Sequence, residues 1–311
     1  MAHTDCSDPS YPGRESNDWI ELYNMTSASI NLHNCYLSDD ISDLKKWAVP
    51  AIEIAGGAHV SFDEITGFHC PASVGFGLNK AGEEVVLSYL PGTHKDRIVD
   101  CVRFKGQPNY VSLGRFPDGG PYWVEMPPSR DMTNEAPTQG IVINEIMYHP
   151  TDDIDLEYVE LYNPAASRIH LEDVDGSWRL DGAVDYTFGP NASIASGGKL
   201  VVVGFDPALD SEQLDIFIAV YDAPGAHIVG PWSGNLSNGG ERLALKRPQA
   251  PDLPGDPISW VILDEVVYAD VPPWPASADG TGDTLQRIWP ESGLSGNDPS
   301  NWQAAAPSPG R

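Results

Sequence analysis

The sequence predicts an all-β protein built as two β-sandwich domains in tandem. Three observations predict it: short strands of period two bounded by Gly, Pro and Asn turns, almost no helical periodicity, and a repeat that runs in the same order through both halves. Length agrees, since 311 residues correspond to about two domains of roughly 150 residues.

The repeat opens on Asp18-Trp-Ile-Glu-Leu-Tyr-Asn24, matched by Glu157-Tyr-Val-Glu-Leu-Tyr-Asn163. Trp19, Glu21 and Tyr23 fall on one face and Ile20 and Leu22 on the other, the pattern of a half-buried strand. A Leu-centred stretch follows each, Ile30-Asn-Leu32 and Ile169-His-Leu171. Then come a Gly-Gly turn and a strand: Gly56-Gly57 before Ala58-His-Val-Ser-Phe62, and Gly197-Gly198 before Lys199-Leu-Val-Val-Val203. The glycines supply the positive φ that reverses the chain.

The later matches keep the order. Leu78–Leu87 parallels Leu236–Leu245, Ile98–Phe104 parallels Ile262–Tyr268, and Ser112-Leu-Gly-Arg115 parallels Thr284-Leu-Gln-Arg287. The domains are expected at 1–126 and 140–311, joined by a linker at 127–139 where Pro127, Pro128 and Pro137 interrupt the apolar rhythm.

The copies are unequal. The second opens with the strand Ile141-Val-Ile-Asn-Glu-Ile-Met-Tyr-His149, whereas Met1-Ala-His3 lines up with Met147-Tyr-His149. The first copy is therefore expected to lack its opening strand, and the chain to be a fragment of a longer protein. The first ten residues, MAHTDCSDPS, hold no secretory signal, as such a fragment would not. The open edge and apolar slot left in domain one then need covering by the linker, the second domain or another chain.

Asn144-Glu-Ile-Met147, the Glu157–Asn163 strand, the Gly-Gly turn, the Leu285-Gln-Arg287 motif, Asp298-Pro-Ser-Asn-Trp302 and Pro307-Ser-Pro-Gly310 together resemble the bacterial lamin tail domain, over about residues 1–125 and 140–311. The resemblance implies two immunoglobulin-like sandwiches, placed as modules in a large secreted or cell-surface bacterial protein beside catalytic or adhesive domains. It brings no catalytic signature with it.

Charge narrows the partners. Eighteen Lys and Arg against 45 Asp and Glu give a net charge of −27. Such a field repels nucleic acid and anionic lipid and favours cations and basic partners. No apolar run nears the roughly 18–20 residues of a membrane span. Cys6, Cys35, Cys70 and Cys101 all lie in the first half without a CxxC pair, which argues against structural zinc. Two disulfides, in any of three connectivities, and free buried thiols both fit them.

The best polar constellation surrounds the opening strands: Glu145, His149, Asp152, Asp153, Glu157 and Glu160 in copy two, and His3, Asp5, Asp18 and Glu21 in copy one. Carboxylate-rich loops suit calcium, which takes roughly six to eight oxygen ligands. An imidazole shifts the preference to zinc or manganese. The repeated histidines, His3 and His149, carry the metal reading. Against it, Glu21 and Glu160 equally suit hydrogen bonds at the sandwich end, and the aspartates suit turns. Asp39, Asp40 and Asp43, and Asp173-Val-Asp-Gly176, read as turns; the last has Val184 where a calcium loop needs Glu.

Trp232 and Trp274 fall in predicted loops, where an aromatic suits carbohydrate or protein ligands, although a sandwich more commonly buries its tryptophans. The long insertion 206–234, carrying Trp232, is the largest difference between copies, and variable loops are where binding usually resides. The expected function is a non-catalytic extracellular binding or adhesion module stabilised by calcium. The alternative is a metal-dependent hydrolase of phosphate or carboxylate esters using metal-activated water.

Overall fold

A computed structural model describes residues 18–69, 75–108, 111–137, 140–151, 156–250, 255 and 257–311. The chain divides into two compact units, Met1–Pro137 with Pro251–Ser259, and Thr138–Ala250 with Trp260–Arg311. Both are built from strands.

In the first unit, β1 (Trp19–Tyr23) is followed by β2 (Cys35–Ser38), β3 (Trp47–Ala48), β4 (His59–Asp63), β5 (Glu83–Tyr89), β6 (Arg97–Phe104), β7 (Ser112–Arg115) and β8 (Trp123–Met126). Strands β3-β2-β5-β6 form one antiparallel sheet. Opposite it stand two separate pairs, β1-β4 and β7-β8. Period-two alternation sends Ile20, Leu22, Val60 and Phe62 inward, onto a core containing Leu37, Val85 and Leu87.

The second unit contains β9 (Val142–Met147), β10 (Tyr158–Tyr162), β11 (Arg179–Gly182), β12 (Val184–Thr187), β13 (Lys199–Val203), helix α1 (Ser211–Tyr221), β14 (Ile228–Val229), β15 (Ser233–Gly234), β16 (Gly240–Gln249), β17 (Ser259–Ala269), β18 (Thr284–Arg287) and β19 (Trp302–Ala305). Its six-stranded sheet has the order β14-β13-β10-β9-β18-β19, and its five-stranded sheet the order β15-β12-β11-β16-β17. Ile143, Ile146, Val159, Leu161 and Leu285 from the first meet Leu180, Val184, Leu243, Leu245 and Val266 from the second in one buried core. This is a sandwich.

Pairing registers recur between the units. Ile20 faces Phe62 and Leu22 faces Val60, as Val159 faces Val202 and Leu161 faces Leu200. Asn24 donates through Nδ2 to the carbonyls of Ala28, Ile54 and Ala55, and Asn163 does so to Ser167, Ile194 and Ala195. Gly57 (φ 71°) and Gly197 (φ 65°) make the turn into the following strand in the left-handed region that favours glycine.

One element was not expected. Helix α1 stands inside the insertion 206–234, capped by Asp210, whose Oδ1 accepts from Gln213 N at 3.0 Å. Its apolar residues serve as a third layer: Phe217 and Tyr221 pack on Tyr158, Val201 and Val203 from the outer face of the six-stranded sheet. Within the stretch read as a linker, Arg130 and Asn134 are hydrogen-bonded to Ser61 and Arg115 of the first unit. Cys35 and Cys101 are free thiols, one buried and one exposed; Cys6 and Cys70 lie outside the described residues. Among the described residues no helix is long and apolar enough to cross a membrane.

Candidate functional site

The acidic residues singled out in the sequence are placed first by the strands that carry them. A bulge between Ile143 and Glu145 in β9 keeps Ile143 and Ile146 in the core and turns Glu145 to the outer face, opposite Glu160 of β10. Both are fully buried. The cover is the chain following β19. Ser308 donates to Glu145 through its N–H (2.9 Å) and its hydroxyl (2.8 Å), and Gly310 N donates to Glu160 at 2.6 Å. Tyr158 and Thr284 hydroxyls also donate to Glu145. Asn144 Nδ2 and Lys199 Nζ reach Glu160 at 2.7 and 3.0 Å. Burial pushes the Glu160 carboxyl above its usual range, against the opposing pull of Lys199. These carboxylates are saturated by protein donors, and their geometry fastens a segment rather than a cation.

The other expected metal ligands take separate partners. Glu157 accepts from Leu236 N at 3.1 Å, and His149 Nδ1 lies 2.5 Å from Asp279 Oδ1. Asp18 is buried at the start of β1, and Glu21 accepts from Asp131 N. His3, Asp5, Asp152 and Asp153 lie outside the described residues. Among the described residues, no three His, Cys, Asp or Glu side chains are gathered to hold a metal ion. The aspartates read as turn formers act as such: Asp40 accepts from Ser42 N and Asp173 from Asp175 N.

Trp232 and Trp274 are each 7% exposed and belong to the second unit's core. A ring packed on both faces has no free surface for a sugar, so the loops that carry them turn their aromatics inward. Among the described tryptophans, Trp289 alone is exposed.

The first unit supplies what the expected residues do not, a cavity of about 630 Å³. It opens between β1 and β7, which in the second unit correspond to β10 and β18. There β9 pairs with both neighbours; in the first unit no strand joins β1 to β7 among the described residues. Leu22, Leu113, Leu37, Leu87 and Val102 make its wall apolar. Its polar groups include Glu21, His59, Asp100, Arg115 and Asp118. The His59 ring stacks on Tyr23 with centroids 4.7 Å apart, and its Nε2 lies 3.5 Å from Asp118 Oδ2. Burial raises the Glu21 carboxyl above its usual range.

One recurring pair escaped the sequence reading. Asp131 N donates to Glu21 as Gly310 N donates to Glu160, and both donors have positive φ, 60° and 79°. The visible signal was Pro128-Ser129 beside Pro307-Ser308, at equal distances after β8 and β19.

Residues 134–252 match the Lamin Tail Domain family model. The lamin tail match spans β9 through β16 and leaves β1 to β8 outside it. Among solved structures, the chain is similar to a DUF4876 family protein from Bacteroides thetaiotaomicron at 11% identity, covering 93% of this chain and 96% of that one with a TM-score of 0.38. No curated protein matches the chain.

Proposed function

We propose that the chain is a non-catalytic binding module, two lamin-tail-like copies in a secreted or cell-surface protein, with its ligand site in the cavity of the first unit. The observation that carries this reading is the 630 Å³ apolar cavity edged by a few convergent polar groups, the ordinary form of a binding pocket. Glu21, Glu145, Glu157 and Glu160 support the same reading, because each accepts from a backbone N–H. Adhesion, and attachment to further domains of a surface protein, rest on the lamin tail resemblance.

An environment-sensitive apolar dye tests the cavity. It is expected to bind one-to-one and to change the fluorescence of Trp19 and Trp123, which line the pocket. Val102→Trp is expected to fill the space and weaken binding about tenfold or more, with circular dichroism unchanged. Dye uptake unaffected by that substitution would remove the cavity as the site. Calcium enters this proposal only through the acidic segments around His3 and Asp5 and around Asp152 and Asp153. A melting temperature that rises with calcium and falls back with EDTA supports it; equal melting temperatures in both remove calcium from the reading.

A further inference from the structure

What the cavity binds can be read from the other unit, and the inference rests on taking the cavity as a binding site. In the second unit one charged pair grips the backbone of β9. Ile143 donates its N–H to Asp264 Oδ2 at 2.8 Å, and its carbonyl accepts from Arg287 Nε at 3.0 Å. Arg287 Nη2 closes the clamp 2.6 Å from Asp264. Beneath the strand, the Arg287 side chain is 2% exposed, and burial raises the Asp264 carboxyl against the pull of that guanidinium.

The first unit carries the same clamp. Asp100 and Arg115 occupy the repeat positions of Asp264 and Arg287, and Arg115 Nη2 lies 2.8 Å from Asp100 Oδ1. Arg115 sits over Trp123 at 4.6 Å, as Arg287 sits over Trp302 at 5.1 Å. Both clamp residues line the cavity, and Asp100 is 47% exposed. Arg115 Nη1 donates to the carbonyls of Gly120 and Pro121, as Arg287 Nη1 donates to that of Leu294. An anionic acceptor beside a cationic donor is the charge complement of a main-chain N–H and C=O. A small apolar ligand offers no such pair; a peptide strand does.

We propose that this cavity is an acceptor slot for a β-strand donated by another polypeptide, lying antiparallel to β1 and β7 with one residue's backbone held by Asp100 and Arg115. Strand addition of this kind takes affinity from main-chain hydrogen bonds and specificity from alternate side chains. The expected donor follows β9, whose core-facing residues are Ile141, Ile143, Ile146 and Tyr148. Its apolar residues therefore recur at intervals of two, three and two, the three reflecting the bulge. A carboxylate two residues after the clamped position is favoured, because Glu145 there takes the Ser308 hydroxyl. The counterpart Ser129 hydroxyl now donates to Asn134 Oδ1 at 2.6 Å.

The probe is a synthetic peptide with the sequence of Gly140–His149, added to the full chain. Expected are saturable one-to-one binding by fluorescence anisotropy and a higher melting temperature. Methylating the peptide nitrogen of Ile143 removes the proton that Asp100 accepts and is expected to weaken binding about tenfold to a hundredfold. Replacing both peptide isoleucines, Ile143→Asp and Ile146→Asp, is expected to abolish it. All changes are in the peptide, so folding of the protein is not at issue. Absence of saturable binding, or equal affinity for the N-methylated peptide, overturns the proposal. If the dye binds and the peptide neither binds nor displaces it, strand donation fails while the binding site stands. If neither binds, both readings fail.

Discussion

Asn163 holds three carbonyls at the end of β10 with one side-chain amide, and Asn24 does the same after β1. Asn163 is fully buried, so truncation strands the buried Ile194 carbonyl without its donor. Asn163→Ala is expected to cost about 3 kcal/mol, read as a lower urea midpoint at unchanged slope; a loss within experimental scatter would show that the loop repacks around other donors. Glu160 gives a pH signature. Its carboxyl is raised above the ordinary 4.5 by burial, so the folded state holds this proton more tightly than the unfolded chain. That contribution is complete below 4.5 and is lost as pH rises through the raised value. Glu160→Gln, which cannot ionise, is therefore expected to lose less stability relative to the parent at about pH 8 than at about pH 5. A difference in melting temperature that stays constant over that range would contradict the assignment.

At the scale of elements, α1 turns a sandwich into three layers on one side. An eleven-residue helix is too short to persist alone in water, so its stability comes from the apolar outer face of β10 and β13. Phe217 is fully buried there, 5.7 Å from the Tyr158 ring and 4.9 Å from Tyr221. Phe217→Ala is expected to cost about 3–5 kcal/mol, measured by denaturant unfolding. Less than about 1 kcal/mol would place the helix outside the cooperative unit. The sequence hid this element because neighbouring strands dominate the apolar pattern and only Asp210, as N-cap, marks its start. The strands themselves were legible, since each is short, alternating and closed by a Gly, Pro or Asn turn.

Across the whole molecule, charge matters most after packing. A net charge of −27 on 311 residues opposes compaction through self-repulsion. Raising sodium chloride from about 10 mM to about 150 mM shortens the screening length from about 30 to about 8 Å, and the melting temperature is expected to rise by several degrees. A flat salt response would mean that the acidic side chains are neutralised locally, as Asp181 is by Lys246, Arg179 and Arg242. The same field makes a basic or neutral donor strand a better guest than an acidic one, apart from the single carboxylate aimed at Ser129.

The sequence alone determined the β class and the inward and outward faces of strands such as β1 and β10, because period-two alternation and turn chemistry act over a few residues. Only the tertiary structure decided which distant residues meet. Glu145, Glu160 and Ser308 are brought together by a sheet and a returning chain, and Asp100 meets Arg115 across a gap between sheets. Such meetings depend on long-range packing, which composition and spacing do not encode locally. Glu145 and Glu160, which the sequence offered as ligands, hold the chain after β19 in place, and the cavity proposed as the binding site lies between β1 and β7.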